Sequence, residues 1–300
     1  MARSPLVLLV VSALLVGAAV AGPPPASART TYPADPARNI ALPSGAWGPA
    51  CTNHPMRRKC ERIMIRGLNH ARAVMGQPAY KLPARFGALR AREQMLVLAN
   101  LDRKLYRRGA IAGLNPALNA TAERGADAGT DPGFVPVAGQ QLVHGSANWA
   151  GGLRSPLGAY FVWMYDDAGQ GWTHRHTVLM RKGAADNLLI MGVGSNPDAG
   201  GMPNWTMVLE SFAPYTGIQL VPTVFALVTP TTTGSGVRLS GFGFLHVRQV
   251  TFGGVAARFT RTSLFTITAV PPAHAPGRVH VQVVTLGGTS AATAASVYRY

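Results

Sequence analysis

Residues 188–212 read LLIMGVGSNPDAGGMPNWTMVLESF, two apolar runs joined by a segment rich in Gly, Pro, Asn and Asp. Short apolar runs bounded by such residues are typical of β-strands, and the segment between them predicts an antiparallel pair. The pair marks a change in the chain, because helical spacing dominates before it and is absent from residue 222 onward. Helices followed by antiparallel strands predict an α+β or three-layer domain.

Four helices are predicted upstream of this pair, from apolar residues that recur at steps of three and four. The first ends where Gly76 and Pro78 follow, since neither residue continues a helix well. The predicted ranges are roughly 57–75, 90–108, 116–128 and 156–167.

The tail of the chain has a different pattern. From Pro222 onward it contains short strand-like runs, Gly-Gly pairs and many Thr and Val residues, which predict an all-β domain of about 80 residues. Val279, Val281 and Val283 alternate as the inward face of one strand. We place the boundary between the two parts near Gln219.

Three glycine-rich segments punctuate this tail: GFGF at 241–244, GG at 253–254 and GG at 287–288. The first predicts a close approach between two backbones, and the other two suit hairpin turns. Together with the flanking Val, Pro and aromatic residues, they resemble the IPT/TIG family. The resemblance implies an immunoglobulin-like sandwich over residues 220–300, acting as a binding, spacing or interaction module without catalytic residues.

The middle of the chain contains three further motif segments. They are Asn100–Arg103 followed by Arg108-Gly109, Leu118 and Ala122; SANWAGG at 146–152; and WMYD at 163–166 with THRHTVL at 173–179 and MGVG at 191–194. These segments resemble the CAP superfamily (cysteine-rich secretory, antigen-five and pathogenesis-related proteins), in the divergent form common in secreted bacterial proteins. The resemblance implies an α-β-α sandwich over residues 57–219, including an N-terminal helical extension.

The CAP fold has a cleft that usually holds two histidines and two acidic residues. By matched position, His174 takes one histidine place and Asp166 takes one acidic place. Ala147 stands where the family has a Glu, and the second histidine has no clear counterpart. His144 lies close to the Asn-Trp segment, and Asp131 is a candidate for the vacant histidine place. The tetrad is therefore incomplete, which weakens the case for metal binding or hydrolysis.

The residues themselves leave several roles open for this site. His174 and His176 are two positions apart, so they share a face on a strand but not on a helix. Asp166 could orient the His174 imidazole, and two His with one Asp could bind zinc with an open fourth position. The sequence has neither an H-E-x-x-H nor a G-x-S-x-G motif. The alternatives are a structural His174–Asp166 hydrogen bond, a ligand cleft that also includes His176, Asn148 and His144, and catalysis by His174 and Asp166.

The N-terminus predicts export. Arg3 precedes a 17-residue apolar run at 5–21, and small-residue A-x-A sites end at Ala21 and Ala28. These features are typical of a secretory signal peptide, which we place at residues 1–28 with cleavage after either alanine. Residues 29–56 are rich in Pro, Gly, Ser and Ala and predict a flexible leader. No later stretch reaches 18 uninterrupted apolar residues, so no transmembrane segment is expected after cleavage.

The two cysteines, Cys51 and Cys60, offer one intramolecular disulfide, which an exported protein can keep. Its expected role is structural, before the first long helix. A chain with two cysteines cannot supply four thiolates, which excludes a Cys-based zinc finger and a Cys-ligated iron–sulfur cluster.

The net charge of +16 is unevenly distributed. Residues 57–108 hold 14 Lys and Arg against 3 acids, a net of +11, whereas residues 109–210 hold 5 against 8, a net of −3. In an exported protein, the basic segment favours anionic cell-wall polymers or lipid headgroups over nucleic acid. The sequence therefore predicts a secreted or cell-wall-associated protein that binds a lipid, peptide or wall component. The alternative is an extracellular hydrolase using Asp166 and His174, and the one cofactor considered is a divalent metal such as zinc.

Overall fold

The computed structural model describes residues 32–135, 140–198, 202–213, 217–228 and 236–300. They form helices packed on a three-stranded sheet, followed by a larger curled sheet, so the predicted α+β class is confirmed. Tyr32–Tyr300 form one compact unit. The predicted signal peptide at residues 1–28 lies outside the described residues.

The four helices expected from the sequence are present, and three of them are shorter than predicted. The predicted third helix has the expected bounds because local chemistry defines both ends. The Asn115 side chain accepts a hydrogen bond from the Leu118 N–H at 3.0 Å, Pro116 occupies the first turn, and Gly129 ends the helix at φ +64°. The helices are α1 Pro49–Thr52, α2 Arg58–Val74, α3 Ala91–Leu105, α4 Pro116–Ala128, α5 Pro156–Tyr165 and α6 Thr173–Val178. No helix in the described ranges is long and apolar enough to cross a membrane.

The three-stranded antiparallel sheet has the order β1-β3-β2, with β1 at Gln141–Gly151, β2 at Leu188–Asn196 and β3 at Asn204–Ala213. The predicted antiparallel pair corresponds to β2 and β3. Helix α4 lies on β2 at Gly192 and Gly194, where a Cβ atom would overlap the α4 backbone. These glycines therefore allow the close approach of helix and sheet.

The curled sheet is antiparallel throughout, with the order β10-β9-β6-β7-β8-β5-β4, and β11 also pairs with β9. Gly253 and Gly254 form the β6–β7 hairpin turn with φ of +58° and +87°, as the sequence predicts. Val281 and Val283 face the core. The strands are β4 Thr223–Val228, β5 Val237–Phe242, β6 Gln249–Phe252, β7 Val255–Ser263, β8 Thr266–Val270, β9 Arg278–Thr285, β10 Gly288–Thr289 and β11 Val297–Arg299.

The two parts of the chain share apolar cores. The change in element type falls between Ala213 and Thr223, around the boundary predicted near Gln219. Phe242 is buried in the same cluster as the α3 residues, and Leu245 is buried with residues of α4 and β2. The Gly243 N–H donates to the Ala112 carbonyl at 2.7 Å. The tail thus packs directly on the helical part.

The flexible leader predicted at residues 29–56 requires a correction, because its described part, 32–56, is packed. The Ile40 N–H donates to the Tyr165 carbonyl at 2.8 Å, and the Tyr32 ring stacks on His176 at 4.1 Å between centroids. The expected Cys51–Cys60 disulfide is present and joins α1 to α2. The Pro-, Gly-, Ser- and Ala-rich composition indicated flexibility, but this segment is ordered by contacts with residues more than 100 positions further along the chain.

A buried polar network centres on Asp102 of α3. Arg72 of α2 donates to Asp102 Oδ1 at 2.6 Å, Tyr80 donates to Oδ2 at 2.7 Å, and Tyr160 of α5 also donates to Oδ2. Asp102 has no exposed surface. The network joins three helices that otherwise pack through apolar contacts, and it positions the end of α5, where the candidate site begins.

Candidate binding cleft

An open cleft of about 960 Å³ lies where the leader, the end of α5, α6 and β1 meet. The packed leader supplies one wall through Asn39, Leu42 and Trp47. Trp149 of β1 contributes an aromatic side chain, and Met202 lies beside it. The charged groups in the lining are Asp131, Asp166, Asp167 and His174.

The central interaction of the cleft joins His174 to Asp167. The imidazole Nδ1 lies 2.6 Å from Asp167 Oδ1, and the backbone N–H of His174 donates to Asp167 Oδ2 at 2.9 Å. The partner expected from the sequence was Asp166, and the structure corrects it to the neighbouring Asp167. The physical reason is the turn over 168–172, which brings the start of α6 back onto the buried Asp167 and leaves Asp166 on the cleft surface.

The environment of His174 favours its charged form. Burial alone would lower the pKa of its imidazole, but the hydrogen bond to Asp167 and the charges of Asp167 and Asp131 raise the pKa above its usual value. A carboxylate on Nδ1 also orients the ring, as in metal-bound and catalytic histidines. His174 therefore presents a fixed imidazole to the cleft.

Two further carboxylates lie nearby. Burial raises the pKa of Asp131, partly offset by the His174 charge and by a hydrogen bond with the Trp149 backbone. Burial, and then the charge of Asp167, raise the pKa of Asp166. The cleft thus holds three carboxyl groups and one imidazole, in agreement with the net negative charge of residues 109–210.

Asn148, a predicted cleft residue, lies behind the cleft wall. It is fully buried on β1, and its Nδ2 donates to the His174 carbonyl at 2.9 Å. The neighbouring Trp149 lines the cleft and donates from its indole nitrogen to Asn204 Oδ1 at 3.1 Å. Asn148 therefore fastens α6 to the sheet and positions His174.

The other two histidines are not brought to the cleft. His174 and His176 lie on helix α6, so they diverge, and His176 instead pairs with Asp35 at 3.1 Å. His144 is exposed on β1, opposite Ser211. Because His174 and His176 diverge, they do not form with Asp166 the three-ligand zinc site considered from the sequence. In the part of the chain that the structure describes, no group of three or more His, Cys, Asp or Glu residues is arranged to hold a metal ion.

Sequence reasoning missed Asp167 and Trp47. The signal for Asp167 was the Asp-Asp pair at 166–167, which offers two adjacent carboxylates before the His174 motif. Trp47 gave no signal, because it lies in the segment expected to be a flexible leader.

Comparison with known proteins adds little to this geometry. No protein-family model matches the sequence, and no curated protein matches it either. Among solved structures, the chain is similar to SGBP-B from a complex xyloglucan utilization locus in Bacteroides uniformis. That similarity has 18% sequence identity and a TM-score of 0.25, and it covers 36% of this chain and 35% of that chain. A likeness this partial carries no argument about the fold or the ligand.

Proposed function

We propose that this protein is an exported binding protein whose cleft takes a peptide or a peptide-bearing cell-wall component through a cationic group of that ligand. The observation that carries the proposal is the pairing of Asp131 and Asp166 with the exposed indole of Trp47 in one open cleft. The CAP-like assignment of residues 57–219 and the IPT/TIG assignment of residues 220–300, as an interaction or spacer module, belong to the same proposal.

The charges of the cleft favour a cationic ligand over a fatty acid or another anion. Asp131 and Asp166 are accessible, whereas Asp167 is buried and already hydrogen-bonded to His174. An ammonium group between the two accessible carboxylates gains electrostatic attraction, and the ring of Trp47, with 59% of its surface exposed, can stack on its alkyl stem or on a sugar.

Export is supported by two independent features. The Cys51–Cys60 disulfide is typical of an oxidising compartment outside the cytosol. The apolar run at 5–21, with its small-residue exit, is typical of a secretory signal.

Equilibrium binding to a lysine- or diaminopimelate-containing wall peptide, measured by calorimetry, tests the cleft. The free amine should bind more tightly than the same peptide acetylated on that amine. Asp131→Asn and Asp166→Asn should each weaken binding by about tenfold, because each removes one charge partner. Asp186→Asn is the matched control, since Asp186 is exposed and lies outside the cleft lining. Equal affinity for the acetylated peptide, or unchanged affinity in both cleft variants, overturns the proposal.

A hydrolase is the second candidate, because the Asp167–His174 pair is arranged as a general base would be. The described residues that line the cleft include no Ser, Cys, Thr or Lys, so the nucleophile would be a water molecule or an Asp carboxylate. Mass spectrometry of the same peptides after incubation distinguishes the two functions. Cleavage that disappears in a folded His174→Gln variant would replace binding with hydrolysis as the function.

A further inference from the structure

A second cavity, of about 890 Å³, lies between the C-terminal half of α3 and the curled sheet. It shares none of its described lining residues with the cleft. Its size falls within the range of about 300–1,000 Å³ typical of small-molecule sites. No motif in the sequence indicates this cavity, because its two walls lie more than 100 residues apart in the chain.

The inner surface of this cavity is apolar and aromatic. Phe225, Phe242 and Phe265 come from the curled sheet and its loops, and Val97 and Leu101 come from α3. The rings of Phe225 and Phe242 lie 5.1 Å apart between centroids, and those of Phe242 and Phe265 lie 5.9 Å apart. Three contacting rings on one wall form a continuous surface suited to an alkyl chain.

The rim of the cavity is cationic. Lys81, Lys104, Arg107 and Arg108 line it, and the described lining contains no Asp or Glu. The lining offers two neutral polar side chains, Asn100 and Ser240. Both ends of the Asn100 amide are already bonded to the backbone of Ile111, at 3.1 and 2.7 Å. The cavity therefore has few neutral hydrogen-bonding side chains with which to bind a sugar or a peptide. Its cationic and aromatic side chains instead suit a ligand that combines an anionic group with an apolar body.

Arg107 adopts a backbone conformation that arginine rarely adopts. Helix α3 ends with hydrogen bonds from the Arg107 N–H to the Lys104 carbonyl and from the Arg108 N–H to the Arg103 carbonyl. In this ending the residue at position 107 adopts a left-handed conformation, with φ +54°, which glycine accepts most readily. Cations near a helix C-terminus also stabilise the helix dipole, but that effect does not require a side chain at this strained position.

We propose that this cavity binds a fatty acid of about the length of laurate, with the alkyl chain against Phe225, Phe242 and Phe265 and the carboxylate among Lys104, Arg107 and Lys81. Charge complementarity selects the carboxylate, and the aromatic wall selects the chain. The site is independent of the proposed peptide cleft, whose carboxylates would repel the same ligand.

Calorimetric titration of the full chain with laurate tests this site, with dodecanol and acetate as matched probes that lack the charge or the chain. Laurate should bind at one site per chain, dodecanol should bind about tenfold more weakly, and acetate should not bind measurably. Dodecanol binding as tightly as laurate, or acetate competing with laurate, overturns the proposal.

The Arg107→Gly variant separates binding from folding. Glycine suits the left-handed backbone, so the thermal midpoint should stay the same or rise, while laurate affinity should fall by about tenfold. Arg258→Gln is the control, since Arg258 is exposed on β7 outside the cavity lining. Asp166→Asn should leave laurate binding unchanged, so this site and the peptide cleft can fail separately. Unchanged laurate affinity in a folded Arg107→Gly protein overturns the assignment.

Discussion

Asp102 and Asp167 are both buried carboxylates that hold a basic partner, yet they lie in different settings. Asp102 is enclosed by Arg72, Tyr80 and Tyr160, and its network faces only other helices. Asp167 is almost as buried, but its partner His174 faces an open cleft. The comparison shows that burial of a carboxylate does not identify a functional site. What distinguishes Asp167 from Asp102 is that its partner, His174, lines an open cleft.

Glu210 of β3 is a third buried carboxylate, and it has no basic partner among the described residues. One of its oxygens accepts a hydrogen bond from the Val135 N–H at 2.9 Å, and the other has no partner among the described residues. Burial raises its pKa to about 7, partly offset by the Val135 hydrogen bond. The three carboxylates thus form a series with a guanidinium partner, an imidazole partner and no charged partner.

The largest effect is expected at Asp102. Asp102→Asn removes the charge that pairs with Arg72 and leaves a guanidinium buried without its counterion, which should lower the free energy of unfolding by about 3–5 kcal/mol. Denaturant unfolding at pH 7 measures it, with the exposed Asp186→Asn variant as control. A loss below about 1 kcal/mol would show that Asp102 contributes no more than a surface pair does.

A smaller and pH-dependent effect is expected at Asp167. Because the pKa of His174 is raised on folding, its stabilising contribution is complete below the usual His pKa and is lost as the pH rises through the raised value. Asp167→Asn should therefore cost roughly 1–3 kcal/mol at pH 6 and less at pH 9. Unfolding at both pH values measures the difference. The same pH dependence in Asp166→Asn, which does not contact His174, would contradict the assignment of Asp167 as the partner.

The smallest effect is expected at Glu210. Because its pKa is raised on folding, the folded state binds the proton more tightly than the unfolded state, and stability falls as the pH rises from the usual Glu pKa to about 7. Glu210→Gln should remove this slope and be more stable than the wild type at pH 8 by roughly 1–2 kcal/mol. Thermal unfolding from pH 5 to 8 measures it. Parallel pH profiles for the two proteins would mean that another group causes the slope.

Local sequence signals predicted the elements well. Helix α4 was predictable from Asn115, Pro116 and Gly129, and the β6–β7 turn was predictable from its glycine pair, because these residues set backbone geometry by themselves. Strand β1 was missed because His144 and Gly145 interrupt its alternation.

The site was less predictable than the elements. His174 was found from its motif, but its partner depends on a five-residue turn, and Trp47 depends on contacts of the leader with α5 and α6. The second cavity exists only where two distant parts of the chain meet. Contacts between residues this far apart in the chain produce no periodic pattern in a single sequence.

The core shared by Phe242 and α3 also has a consequence for the order of folding. A nascent chain that ends before residue 242 lacks Phe242, one of the side chains in the core that contains α3, and one that ends before Leu245 leaves the core of α4 and β2 incomplete. Contacts that span more than 100 residues form slowly, because a long loop must close first. The helical part is therefore expected to stay aggregation-prone until the tail has been synthesised, so that a holding chaperone would be needed early rather than late in synthesis.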